Sequence, residues 1–139
     1  MFKTVLFPID QSREAGEAAE AVVSIVQTYR SRLVLLSVVE EATGDATAEV
    51  ANPDPMKSVE AVAKLLETAK SLFSQQGIQT ETIEREGKPA FTICDVADEI
   101  GANLIIMGCR GMGLSEEGLT DSVTNRVINL SPCPVLIVP

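Results

Sequence analysis

The sequence has no histidine and no tryptophan, and only four phenylalanines and one tyrosine. Without histidine the commonest general base is missing, and with it the Ser-His-Asp and Cys-His arrangements and most zinc sites. So few aromatic rings leave little on which nucleic-acid bases can stack. Basic residues are scarce as well: 11 Lys and Arg against 20 Asp and Glu give a net charge of −9. That balance argues against a nucleic-acid backbone or an anionic membrane as partner, because both require basic patches. No apolar run reaches the ~18 residues of a membrane span. The three cysteines are an odd number without paired spacing, which fits a reducing compartment; the cytoplasm is the expected location. Met1 to Leu6 enters a strand pattern at once, so no signal peptide is expected.

What is present describes one globular domain over residues 1–139. With 45% hydrophobic and 22% charged residues a packed core is expected and disorder is not. A chain of this size buries roughly 68% of its unfolded surface.

Taken in order, Thr4 to Ile9 reads as a strand that turns at Pro8-Ile9-Asp10. Ser12 is the expected N-cap of a helix through Tyr29, with Ala15, Ala18, Ala19, Val22, Val23, Val26 and Tyr29 on its buried face. Leu33 to Val39 is apolar on both faces except at Ser37, as a central parallel strand should be. Glu40 to Asn52 is polar and aperiodic, a loop or lid. Asp54-Pro55 is a helix start, and Val59, Val62, Leu65, Leu66, Ala69, Leu72 and Phe73 carry that helix to about Gln76, where Gly77 stops it. Ile78 to Glu84 has few apolar residues and is expected at an exposed sheet edge. A third helix starts at Gly87-Lys88-Pro89, turns Ile93, Cys94, Val96, Ala97 and Ile100 inward, and ends at Gly101. Leu104 to Met107, a Ser122 to Leu130 helix and a Val135 to Val138 strand complete the chain. Five strands alternating with four helices specify an α/β fold, a doubly wound five-stranded parallel sheet covered on both faces.

Ligands in such sheets sit beyond the C-terminal strand ends, where the strand order reverses. Asp10 and Gly108 end the first and fourth strands and are the candidates for that rim. After Gly108, Cys109 and Arg110 lead to Gly111, Met112 and Gly113, so an apolar strand stops at three glycines within six positions. Free amides in a glycine loop followed by a helix start suit a phosphate or another anion. The terminal strand Val135-Val138 is apolar enough that, at a sheet edge, it requires cover; pairing with a second copy in a homodimer supplies it.

These stretches resemble the universal stress proteins over essentially the whole chain. Met1 to Ser12 is similar to that family's first strand and turn, Ala102 to Gly111 to its fourth strand and loop, and Ser122 to Val127 with Pro132 to Pro139 to its closing helix and strand. The resemblance implies the fold above, dimerisation through the last strand, and an adenine nucleotide, ATP or AMP, as ligand. It places Asp10 at the adenosine beside the Pro8-Ile9 backbone, the main chain of Val38 along the adenine, and Met107 and Gly108 at the ribose. Arg110, Gly111, Gly113, Ser122 and Val123 surround the phosphates, with Gly111, Ser122 and Val123 as donors. The chain departs from the family's ATP loop at Asp121, which stands where the third glycine belongs, while Glu116 and Glu117 add to the acidity. A carboxylate about 4 Å from a phosphate charge costs on the order of 1–4 kcal/mol. A bridging Mg or Mn ion would turn Asp121 from a repellent into a metal ligand.

Plainer roles stand beside these. Asp10 serves equally well as a cap or turn former, and Gly111 and Gly113 as turn residues. Asp121 suits the N-terminus of a helix without any ligand. Cys109 beside Arg110 is open to a lowered pKa and a redox role, whereas Cys94 belongs to the core. Gly87-Lys88 runs into Pro89 and so forms no P-loop, and Gly111-Met112-Gly113 lacks the third glycine of a dinucleotide fingerprint. A phosphoacceptor receiver would need a further acidic acceptor and a lysine that are not in place. The expected function is therefore a dimeric stress-response sensor of adenine nucleotide, a binder rather than an enzyme. A dimeric regulator of the same fold working only through protein contacts is the alternative, and a slow metal-dependent ATP hydrolase ranks last.

Overall fold

A computed structural model of the chain describes residues 1–10, 13–40, 58–108 and 123–139. In order these form β1 (Thr4–Pro8), α1 (Arg13–Tyr29), β2 (Arg32–Glu40), α2 (Val59–Gln75), β3 (Thr80–Gly87), α3 (Pro89–Ile100), β4 (Leu104–Gly108), α4 (Val123–Leu130) and β5 (Val135–Val138). The strands pair in the order β3-β2-β1-β4-β5 and every pair is parallel. This is the α/β sheet that the alternation of patterns specifies.

The interior strands read as unbroken apolar runs because each face of the sheet has its own core. Val5 and Phe7 of β1 and Leu33 and Leu35 of β2 join Ala18 and Val22 of α1 and Val62 and Phe73 of α2. The alternate residues Leu6, Val34 and Leu36 join Ile93 and Val96 of α3 and Val127 of α4 on the other face. Truncating one of these fully buried leucines to alanine removes about 2–5 kcal/mol, a large part of a small domain's stability.

Local signals end the helices as expected at two positions. Gly77 and Gly101 take left-handed backbone conformations (φ 78° and 65°) that release the chain after α2 and α3. The start of α2 differs from the expectation at Asp54-Pro55. Ser58 is extended, and its hydroxyl accepts a hydrogen bond from the Ala61 amide at 3.3 Å, so the described helix begins at Val59. Three expected core residues are also exposed: Tyr29 at 44%, Val59 at 57% and Leu72 at 58%. The apolar stripe of each helix is wider than the face its sheet covers. Tyr29 instead stacks edge-on against Phe2, with ring centres 5.1 Å apart. The expected Ser12 cap and the Glu40 to Asn52 loop lie outside the described residues, apart from Glu40 at the end of β2.

Candidate functional site

The reversal in strand order falls between β1 and β4, whose crossovers lead to opposite faces of the sheet. Sheets of this kind take ligands beyond the C-terminal strand ends at such a reversal.

On the β1 side the turn is held by two hydrogen bonds. The Ile9 amide donates to the Leu36 carbonyl at 2.8 Å, extending the β1–β2 pairing past Pro8. The Ser37 hydroxyl donates to the Ile9 carbonyl at 3.1 Å. Ser37 is the one buried polar side chain among the described residues, 1% exposed in an otherwise apolar strand. Its hydroxyl satisfies a carbonyl that the end of β1 would otherwise leave unpaired there. Pro8, Ile9 and half-buried Asp10 are thus fixed at the rim. Val38 lies two residues beyond Leu36, so strand alternation directs its main-chain groups to the same side, past the end of β1. Its side chain is buried in the core beneath α3, leaving the backbone as the part available to a ligand.

On the β4 side Met107 is buried in that same core and Gly108 is half-buried at the strand end, paired with Val138. The Thr124 hydroxyl donates to the Gly108 carbonyl at 3.3 Å, tying the first turn of α4 to the rim. Val123, the first residue of α4, packs against the core below. Pro8, Ile9, Asp10, Val38, Met107, Gly108 and Val123 are therefore brought to the strand ends at and beside the reversal. Arg110, Gly111, Gly113, Asp121 and Ser122 lie outside the described residues, as do Cys109, Glu116 and Glu117. The sequence reading did not assign positioning roles to Ser37 and Thr124. A lone serine in a buried apolar strand was the legible sign of the first; the second carried none.

At the described rim Asp10 is the one carboxylate among Pro8, Ile9, Asp10, Met107 and Gly108. Burial pushes the Cys94 thiol up, helped by nearby Asp95 and Cys133, and Cys94 is core as expected. Burial likewise raises the Cys133 thiol, partly offset by its hydrogen bond with Ser131. Neither thiol carries the depressed pKa of a reactive cysteine. Among the described residues no group of three or more Asp, Glu, Cys or His side chains stands ready to hold a metal ion. None of the described helices is long and apolar enough to cross a membrane.

Comparison with known proteins agrees with this architecture. The model of the universal stress protein family matches residues 1–139. The universal stress protein Sll1654 of Synechocystis is 62% identical over 139 residues, covering 100% of this chain and 87% of its own. Among solved structures, hypothetical protein MJ0577 is 31% identical with a TM-score of 0.81, over 99% of this chain and 96% of that one. A universal stress protein in complex with cAMP superposes with a TM-score of 0.79 at 23% identity, over 99% and 97% of the two chains.

Proposed function

The chain belongs to the universal stress protein family, and we propose that it binds an adenine nucleotide at the rim between β1 and β4 as a dimeric, cytoplasmic sensor. The observation that carries this reading is the convergence at one strand-end crevice. The fixed Pro8-Ile9-Asp10 turn and the outward backbone of Val38 flank one side, and Met107 and Gly108 the other. In this reading the Asp10 carboxylate accepts from a ribose hydroxyl, the Val38 backbone pairs with the base edge, and Gly108 lets the sugar approach closely. Gly111, Gly113, Ser122 and Val123 take the phosphates, with Arg110 as the nearby cation. A relative of the same fold holds cAMP; at 23% identity that supports the scaffold, and the nucleotide reading rests on this chain's own residues.

The acidity of the loop sets the ligand. Asp121, Glu116 and Glu117 oppose a triphosphate unless Mg or Mn bridges it, so AMP binds without metal and ATP requires it. Calorimetry with AMP and ATP, each with and without magnesium or manganese, tests this. Asp10→Ala is expected to weaken AMP by roughly 10–100-fold, the loss of a charge-assisted hydrogen bond. Silence in all four titrations would remove nucleotide binding and leave the dimeric regulator that acts through protein contacts. That second reading draws on the uncovered apolar β5 edge, which calls for a partner whether or not a nucleotide binds.

A further inference from the structure

Below the rim, and bordering it at Ile9 and Asp10, α1 and α2 lie on the same face of the sheet without closing on each other. α1 packs over β4 and β5, while α2 packs over β2 and β3. The space left between them is a cleft of about 690 Å³. Its cause lies in α1, whose cleft side includes Ala15, Gly16 and Ala19, and a Cβ at Gly16 would meet nothing within 4 Å. Phe7, Ile9 and Phe73 form an apolar floor, and Leu65, Ala69 and the exposed Leu72 form the α2 wall.

We propose that this cleft is a second ligand site, taking an elongated apolar small molecule that ends in one carboxylate, of the fatty-acid class. The size of the cleft suits a small molecule, whose sites span about 300–1000 Å³. Shape favours a long ligand: the α2 lining runs from Ala61 to Gln76, roughly 22 Å at the helical rise.

Charge selects the head group. Lys64 is the one cation among the lining residues, and no ion pair or hydrogen bond holds it among the described residues. Its aliphatic stem can lie along an alkyl chain while the ammonium reaches a carboxylate at the mouth. A dianionic phosphate head would feel the repulsion of Glu20 on the opposite helix and of Asp10 at the upper end about twice as strongly as a single carboxylate does. Asp10 is engaged within the chain already.

The probe is dodecanoate below its micelle threshold, followed by calorimetry and by displacement of an environment-sensitive dye; the chain has no tryptophan to interfere. Saturable one-to-one binding is expected. Ala19→Phe and, independently, Ala69→Phe fill the cleft and should weaken it at least tenfold, with helicity and unfolding midpoint recorded for each. Lys64→Gln, a surface change with no bearing on folding, should weaken dodecanoate roughly two- to fivefold, as an exposed ion pair allows. It should leave dodecanol and the AMP titration unchanged. No saturable binding, equal loss for dodecanol and dodecanoate in Lys64→Gln, or undiminished binding in a folded Phe variant would each overturn the proposal. So would a change in oligomeric mass in the Phe variants, which would make the cleft an interface between copies.

Discussion

At one edge of the sheet β3 exposes Glu81, Thr82, Glu84, Arg85 and Glu86, while the other edge, β5, consists of Val135, Leu136, Ile137 and Val138. Both strands present main-chain hydrogen-bonding groups on their outer sides. The β3 edge is blunted by side-chain charge, held in part by the Arg32–Glu81 and Arg85–Glu99 ion pairs. The β5 edge has no such device, and the adjoining α4 adds exposed Ile128 and Leu130. One edge is built to stay open in water and the other to be covered. The proposed homodimer through Val135–Val138 follows from that asymmetry.

Giving β5 the chemistry of β3 should have the largest effect. Leu136 is 37% exposed, so Leu136→Lys disturbs the fold little. In a dimer it removes two buried leucines at about 1.5 kcal/mol each, roughly 3 kcal/mol or two decades in dissociation constant, before charge repulsion is added. Size-exclusion with light scattering should show a dimer becoming a monomer. A wild-type chain that is already monomeric at high micromolar concentration would end the reading of this edge.

How far each edge was legible follows from what the sequence pattern records. The unbroken apolar runs of the interior strands, the three-four spacing of the helices and the glycine stops at Gly77 and Gly101 are properties of the chain alone, so strands, helices and sheet class were readable. The charged character of Ile78 to Glu84 placed an edge correctly, although the strand itself runs from Thr80 to Gly87. The register was not readable, because Ser37 meets the Ile9 carbonyl only through the β1–β2 pairing. Nor was the cleft: its walls come from helices far apart in sequence, and Leu72 carries the same apolar signature whether it faces a core or a cavity. At the site, the residues of β1, β2 and β4 reach the strand ends as expected. The phosphate side falls on residues 109–122, outside the described structure.

The next effect concerns how β3 ends. Gly87 has φ 154°, and a Cβ there would sit 2.7 Å from the Thr92 hydroxyl oxygen. Gly87→Ala is expected to cost about 1–3 kcal/mol, read as a lower urea midpoint at unchanged slope. Adding Thr92→Ala should restore only part of it, since relieving the clash leaves the backbone strain. Full recovery would mean that crowding alone sets this turn.

The converse exchange gives β3 some of the chemistry of β5. Glu84→Val with Glu86→Val moves the net charge from −9 to −7 and lays two apolar residues along one face of the open strand. Association at this second edge should appear as a mass rising with concentration above that of the wild type, worth about 1 kcal/mol per strand contact. An unchanged mass would show that neighbouring Glu81 and Arg85 suffice to keep the edge open.

The smallest effect tests what the charges on β3 contribute to folding itself. The Arg32 hydrogen bond, aided by their attraction and opposed by slight burial, holds the Glu81 carboxyl below its ordinary value of 4.5. The same bond, again ahead of the attraction, raises the already high pKa of Arg32. Both side chains are about half exposed, at 47% and 53%, so solvent screening confines the pair to about 0–1 kcal/mol. A depressed carboxylate pKa stabilises the fold above the ordinary value, and that gain is lost as pH falls through the folded value. The stability difference between wild type and Arg32→Gln should therefore be constant from about one pH unit above that ordinary value and shrink as pH drops through it. It should vanish once Glu81 is protonated in both states, and 0.5 M salt should reduce it at neutral pH. A difference that persists in acid would mean Arg32 stabilises β2 by packing its stem. The charges of β3 would then serve chiefly to keep that edge unpaired, which is the role that separates it from β5.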